Sequence, residues 1–489
     1  MGYILAFDVG TTAIKAVLVD RASRECYQEK VDCALYRPSP AEAEQDAREL
    51  WLCLCDASRK VIDTSELRAD KIDAVVISAP WKHVIPLDSR FRPLRRSIIW
   101  MDARSVMQAE RLNEMMGEYI CSAQDYWPRL MWLKENEPLI WHEAAHIVGL
   151  NTYFKYCATG ELYTEPSDDF IHSPNKSLQE HYTKVLKATG LYEDLDKFPP
   201  CKQCSELVGY VTKNASLEMR VPEGTPVFGG FGDLAAIPFG CGCTKPGDAH
   251  IYLGTSGWLS EIFEERMPGT GNLFFTQDVG LEGALCSLQT VGKAYEWAID
   301  TFYPGKRVAM GDWVYPLVNE EISRIPAGCD KLIATHWLNG EIAPLAKNAK
   351  ALFFNVDEHH DRRYFVRAIL ESVCYTLRRG FEDYRLRHPE ADFIRVAGGG
   401  ALNSCWMQIL ADVLGVRVEI PENPRFIGTM GSYYCAEVGL GGISEYPRDV
   451  RIETSYYPNP DNKAVYDKMY RIYCGLYPAL KSAYDEINE

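Results

Sequence analysis

Four short stretches hold the residues best suited to chemistry. Near the N-terminus, Asp8-Val9-Gly10-Thr11-Thr12 breaks an apolar run that starts at Ile4 and resumes at Ile14, Ala16, Val17 and Val19. Gly10 has no Cβ and tolerates positive φ, so the backbone there can come close to a ligand. Thr11 and Thr12 offer hydroxyls and backbone N–H groups, the donors that phosphate oxygens need. Asp8 at a strand end suits a hydrated Mg2+, a hard ion that prefers carboxylate and water oxygens. An ordinary hairpin with a polar turn would look the same locally. Mid-chain, Gly229-Gly230-Phe231-Gly232-Asp233 closes an apolar strand, places an Asp at the bend and opens a small-residue helix; a helix N-cap is the plain reading of that Asp. Gly254-Thr255-Ser256 follows another apolar strand. Gly398-Gly399-Gly400 joins a strand to a helix, an arrangement that favours nucleotides because unpaired N–H groups and the helix dipole attract anions. A tight strand–helix connection would use the same glycines.

The elements needed to position these residues are legible in outline. Residues 4–20 read as strand, turn, strand, and Cys26 to Leu35 as a third strand. Ala41 to Thr64 has helical spacing at Leu50, Trp51, Leu54, Ala57 and Val61. Ile72 to Ser78 is a short buried strand leading into Ala79-Pro80-Trp81-Lys82-His83. Ser97 to Arg104 predicts a strand end followed by a helix to about Met116, and helices are expected over Leu130 to Glu137 and from His142 onward. Thr164 to Ser177 reads as polar and irregular. Strands alternating with helices point to an α/β fold. The strand, Gly-Thr-hydroxyl, strand unit recurs roughly 245 residues on, which predicts two related halves, taken as domains 1–245 and 246–489. Trp406 to Leu414 and the last thirty residues are expected to be helical, the latter packing on the body.

Bulk properties exclude several classes. A chain of 489 residues exceeds one core. The net charge of -16 argues against a general nucleic-acid binder, which needs clustered Lys and Arg. No apolar run reaches the ~18 residues of a membrane span, and a cytoplasmic protein is expected. Of the sixteen cysteines, Cys201, Cys204, Cys241 and Cys243 could supply zinc thiolates, but their spacing favours buried or half-buried thiols.

Taken in order, these motifs resemble the FGGY carbohydrate kinases, a family that includes xylulokinase, glycerol kinase, ribulokinase and gluconate kinase. The resemblance covers nearly the whole chain. It also rests on Glu44-Gln45-Asp46, Trp100-Met101-Asp102-Ala103-Arg104, Trp132 to Pro138 and Arg367 to Glu371. The xylulokinase branch is nearest, since Lys15 stands where that branch has Lys. The resemblance implies two actin-like, ribonuclease-H-like ATPase domains with a cleft between them, binding ATP, Mg2+ and a small sugar or polyol. It implies Asp233 as the catalytic base, with Asp8 and Asp233 on the metal. Gly10, Thr11, Thr12, Lys15, Gly254, Thr255 and Ser256 would bind phosphates; Gly292, Gly398, Gly399, Gly400 and Asn403 would serve the nucleotide side. Trp81, Lys82, Asp102 and Asp233 would line the sugar.

Departures fall mainly on the expected sugar contacts, with one, at Asn355, before the second-domain helix and without clear consequence for chemistry. Ala79-Pro80-Trp81-Lys82-His83 replaces the xylulokinase Gly-Gln-Met-His-Gly, Leu234 replaces an Asn, and Asn355 replaces a Gly. Lys82 could favour an acidic sugar or an extra phosphate, or pair with a neighbouring acid. The expected activity is ATP-dependent phosphorylation of a ketopentose such as xylulose, with glycerol, ribulose and gluconate as other substrates and a homodimer among the assemblies considered. The rival is a catalytically weak relative that senses sugar or nucleotide; the intact Asp8 and Asp233 argue against it.

Overall fold

The computed structural model describes residues 2–172, 176–264, 272–275, 282–342 and 345–488. Contacts divide the chain into two compact units. One is made mainly of Met1–Gly242 and Gly428–Pro447, the other mainly of Gly283–Ile427 and Arg448–Glu489.

In the first unit, β1 (Tyr3–Val9), β2 (Ala13–Asp20) and β3 (Cys26–Asp32) form an antiparallel meander. β4 (Glu44–Gln45) then precedes α1 (Ala47–Thr64), whose N-cap Asp46 accepts from the N–H groups of Arg48 and Glu49. The helix begins later than its spacing predicts because Glu44 and Gln45 pair with Ile98 and Ser97 instead. β5 (Ile72–Ala79) runs parallel to β1. After it come β6 (Ile85–Leu87), β7 (Ser97–Ile98), α2 (Val106–Met116), α3 (Tyr126–Asn136), α4 (Pro138–Glu143) and β8 (His146–Val148). β8 pairs with β6, so the helix expected from His142 onward is broken by a strand. α5 (Leu150–Thr159), α6 (Lys176–Thr189), β9 (Leu207–Tyr210), α7 (Lys213–Met219), β10 (Pro226–Phe228), β11 (Phe231–Gly232) and α8 (Asp233–Gly240) complete this run.

The sheet order is β3-β2-β1-β5-β10-β9, with β11 beside β5. Leu5, Phe7, Ile14 and Leu18 from the meander pack against Leu50, Leu54 and Val61 of α1 in a buried core. That packing explains the apolar alternation of the strands and the spacing of the helix.

The second unit repeats the plan. Its elements begin with β12 (Ala249–Leu253), β13 (Gly257–Phe263), β14 (Asn272–Phe275), β15 (Glu282–Leu288), α9 (Gly292–Phe302), α10 (Pro304–Met310) and α11 (Val314–Ser323). β16 (Ile333–Thr335), β17 (Leu352–Phe354), α12 (Arg362–Arg387), β18 (Phe393–Ala397), α13 (Ser404–Leu414) and β19 (Arg417–Pro421) follow. The sheet reads β14-β15-β13-β12-β18-β19-β20, where β20 is Ile452–Tyr456. As in the first sheet, an antiparallel hairpin is joined on its inner side by a parallel strand, and the far edge is closed by an antiparallel one. The C-terminal helix α15 (Lys463–Asn488) buries Tyr466, Met469, Tyr470, Tyr473 and Leu476 in this unit's core.

α14 (Ile427–Gly439) belongs almost entirely to the first unit, although it lies within the 246–489 segment assigned to the second half by sequence. Glycines make that packing feasible. A Cβ on Gly431 would fall 1.8 Å from the Ala236 carbonyl oxygen, and one on Gly439 2.3 Å from the Phe228 ring. The Arg21 guanidinium also grips Glu437 through two bonds of 2.7 and 2.9 Å. α14 therefore buttresses α8, the helix that starts at Asp233.

Candidate active site

Register places the first site at one rim of the first sheet. Asp8 of β1 stands opposite Ser78 of β5, and on the other side of β5 Phe231 and Gly232 stand opposite Ser78 and Ala79. All three strands run the same way, so their C-terminal ends share one edge, the edge at which parallel α/β sheets bind ligands. With strands about 4.8 Å apart, Asp8 and Asp233 sit two strand steps from each other.

Asp233 is the first residue of α8, after Gly232 as N-cap. Burial pushes its carboxyl up to about 7; the Leu234 N–H, bonded at 3.0 Å, opposes that rise and the charge of Asp8 adds to it. A carboxyl poised near neutrality is what a general base for an alcohol requires. The backbone of Trp81 also lies against this carboxyl. Asp8 is half-buried, and its Oδ2 accepts from the Lys15 ammonium at 2.8 Å.

The hydroxyl-bearing turn is held from the side. The Trp100 indole donates to the Thr11 hydroxyl at 3.0 Å and the Gln45 amide to the Thr11 carbonyl at 2.9 Å, while Thr12 is exposed. Gly10 does not use positive φ as its sequence role assumed. A Cβ would instead sit 3.1 Å from the Ala13 carbonyl, which accepts the Gly10 N–H at 2.8 Å. The glycine serves tightness of the turn.

In the segment expected to line the sugar, Lys82 adopts a left-handed φ of 61°. Its N–H donates to Asp168 at 2.7 Å and its ammonium to Asp125 at 2.6 Å, 4.4 Å from the Trp81 ring centroid. Of the two roles open to Lys82, the geometry shows pairing with an acid. Burial works against the Asp125 charge, yet the Lys82 ammonium holds this carboxyl below its usual range. Asp102 is fully buried, accepting from the Ala43 N–H at 2.7 Å and from Arg104, which also bonds Glu44. Both Asp102 oxygens are engaged by protein.

In the second unit, β12 ends on a similar turn. The Gly254 carbonyl accepts from Gly292 at 2.8 Å and the Thr255 carbonyl from Val291 at 3.0 Å. Thr255 and Ser256 are exposed. Gly292, the first residue of α9, has no room for a Cβ, which would lie 2.5 Å from the Gly254 carbonyl oxygen. The three consecutive glycines differ. Gly398 has φ 91° and abuts the Leu253 carbonyl, Gly400 abuts the Leu253 side chain, and Gly399 faces open space. Asn403 caps α13 by accepting from the Trp406 N–H at 3.0 Å and donates to Asn319 at 2.8 Å. It supports the turn with both ends of its amide. Asn355 takes φ 65°, which is why Asn, tolerant of that region, stands in for glycine there.

Four residues of the first unit were not among the predicted site residues. Asn151 and Lys155, one turn apart on α5, are buried; Asn151 donates to the carbonyls of Ile77 and Phe231 at 3.1 and 3.0 Å, and Lys155 to that of Gly229 at 3.0 Å. Ser167 accepts the Gly232 N–H at 2.7 Å and donates to Glu165 at 2.6 Å. A polar i, i+4 pair on a buried helix was the available signal for the first two.

The donor set suits Mg2+ only in part. Among the described residues no group of three or more His, Cys, Asp or Glu could hold a metal ion. Asp8, with one oxygen on Lys15, and Asp233 are isolated hard carboxylates, which fits an ion that keeps waters and rides on phosphates rather than one caged by protein.

Comparison with known proteins agrees with this geometry. Residues 3–240 match the N-terminal domain of the FGGY family of carbohydrate kinases, and residues 269–439 its C-terminal domain. The chain belongs to the FGGY family of carbohydrate kinases and is a sugar kinase close to xylulokinases. It is 25% identical to the xylulose kinase of Bacillus subtilis, over 98% of each chain. It is 27% identical to a probable L-xylulose kinase of Haemophilus influenzae, over 99% of this chain and 100% of that one. The fold is shared with a xylulose kinase from Rhodospirillum rubrum, at TM-score 0.80 and 23% identity over 99% of this chain and 100% of the other. Among the described residues no helix is long and apolar enough to cross a membrane.

Proposed function

We propose that this sugar kinase transfers the γ-phosphoryl group of ATP to a hydroxyl of a neutral ketose, a ketopentose such as xylulose, in the cytoplasm. The observation that carries the reading is the Asp233 carboxyl, raised to about 7 at the strand-end rim it shares with Asp8. In the transfer, the sugar oxygen bonds to the γ-phosphorus, the bond from that phosphorus to the β,γ-bridging oxygen breaks, and ADP leaves. Asp233 takes the hydroxyl proton as the new O–P bond forms. Thr11, Thr12 and Lys15 are assigned to phosphate binding, as are Gly254, Thr255 and Ser256. Gly292 and Gly399 admit the nucleotide close to the backbone. Asp8 would hold Mg2+ through water, and the ion would supply charge neutralisation of the phosphates.

Substrate class follows from the sugar wall. Lys82 offers no spare cation, since Asp125 takes its ammonium, and Asp168 lies beside it. An anionic sugar would find the Lys82 ammonium already neutralised by Asp125, whereas the Trp81 ring and the neighbouring polar groups suit neutral hydroxyls. An ADP-release screen over pentuloses, hexuloses, polyols and aldonates tests this. Highest kcat/KM on a neutral ketose supports it, and preference for an aldonate overturns it.

A further inference from the structure

The turn that carries Asp233 is suspended from buried polar side chains, none of which lies at the rim. Lys155 holds Gly229, Asn151 holds Phe231, and Ser167 holds Gly232, the residue directly before the base. The Ser167 contact is the most directional. The Glu165 Oε2 accepts both the backbone N–H and the hydroxyl of Ser167, each at 2.6 Å. That commits the hydroxyl proton to Glu165 and leaves an Oγ lone pair for the Gly232 N–H. Ser167 and Glu165 are 1% and 0% exposed, so water cannot replace the contact. Glu165 is itself approached by the Cys204 thiol at 3.5 Å, and Lys155 is the cation nearby.

The steric setting strengthens the argument. Gly230 has φ 71°, and a Cβ there would fall 2.0 Å from the Ile77 carbonyl oxygen; one on Gly229 would fall 2.6 Å from that of Gln203. Those two glycines are fixed by contact with backbone. At Gly232 a Cβ would meet Ser167 Oγ at 3.4 Å and Trp81 at 3.5 Å, ordinary contact distances. Sterics therefore leave the last step of the turn free, and hydrogen bonds set the Phe231–Gly232 peptide there, Asn151 on its carbonyl and Ser167 on its N–H.

We propose that Ser167, oriented by Glu165, is a positioning residue for phosphoryl transfer: it holds the N–H side of the Phe231–Gly232 peptide, one residue ahead of Asp233, and with it the direction in which the carboxylate meets the sugar hydroxyl. The proposal rests on Asp233 as the base. A small rotation of a general base away from its hydroxyl lowers turnover without weakening ground-state binding.

Steady-state kinetics on the full chain, with its best ketose and ATP, tests it. Ser167→Ala is expected to lower kcat by about 10- to 100-fold with both KM values within about threefold. Ser167→Thr, which keeps the hydroxyl, is expected to restore kcat to within about threefold of the parent. A folded Ser167→Ala protein with parental kcat overturns the proposal. Should Ser167→Ala fail to fold, Glu165→Gln becomes the deciding variant: a fall in kcat at unchanged KM supports the proposal and parental kcat overturns it. Asp233→Asn separates the two claims. Retained turnover in that variant removes the base and the proposal together, whereas its loss beside an unaffected Ser167→Ala removes only the proposal.

Discussion

The two units use the same sequence of strand, glycine turn and helix for different ends, and the contrast lies in what holds each turn. Around Gly229–Asp233 the supports are buried polar side chains from elsewhere in the unit: Asn151, Lys155 and Ser167. Around Gly398–Gly400 they are backbone and apolar contacts, with the Gly398 N–H on the Pro424 carbonyl at 2.8 Å and Leu253 beneath Gly398 and Gly400, and a side-chain tie enters only at Asn403, on Asn319. The first turn ends on a carboxylate whose direction matters, the second on an Asn that closes its own helix. A reacting group must be aimed, so it is tied by directional bonds. In the proposed reading the second turn is a nucleotide surface, which need only be bare and close, so glycine and packing suffice.

The largest expected break of this contrast is Asp233→Asn. Turnover should fall about 1,000-fold while ATP binding, measured by calorimetry, survives. The same change has a stability signature. Because the folded carboxyl titrates near 7 rather than at the ordinary 3.8, the native state binds more protons than the unfolded chain between those values. This group's contribution to stability therefore falls as pH rises through that window. Thermal unfolding should show Asp233→Asn gaining on the parent at pH 8 relative to pH 5; an equal Tm difference at both would contradict the raised carboxyl.

Next in size are the buried glycines, where the two turns should behave alike. Gly230→Ala and Gly398→Ala each force a Cβ into a carbonyl at positive φ, and each should cost about 3 kcal/mol or more in chemical denaturation. Gly399→Ala, facing open space, should leave the denaturation midpoint unchanged yet raise the KM for ATP several-fold. An unchanged ATP KM would remove Gly399 from the nucleotide surface.

A further test of the contrast lies at Lys82. Lys82→Ala should raise the sugar KM by about tenfold and the ATP KM by less than about twofold, with an unchanged sugar KM placing Lys82 outside the pocket. If that variant instead gained activity on aldonates, the charge argument for a neutral substrate would be reversed.

Local patterns made much of this readable. The β1–β2 hairpin is a period-two apolar run broken by Gly and hydroxyl residues, and α1 follows its leucine spacing to Thr64. The short strand β8 was hidden because three residues carry too little periodicity to outweigh the helices on either side. Lys82 illustrates a harder limit. Its residue type is plain in the chain, but whether its charge is spare depended on Asp125, forty-three positions away.

The order of residues alone determined the duplicated plan, the Gly-Thr turns at Gly10 and Gly254, and an Asp opening a helix at position 233, because each is a contiguous pattern. Only tertiary structure decided that α14 braces the first unit, that Asp102 is consumed by Ala43 and Arg104, and that Ser167 and Glu165 lie under the peptide before Asp233. Those facts depend on which distant groups share one buried volume. Hydrogen-bond direction and the loss of hydration act there between neighbours in space that the chain keeps far apart.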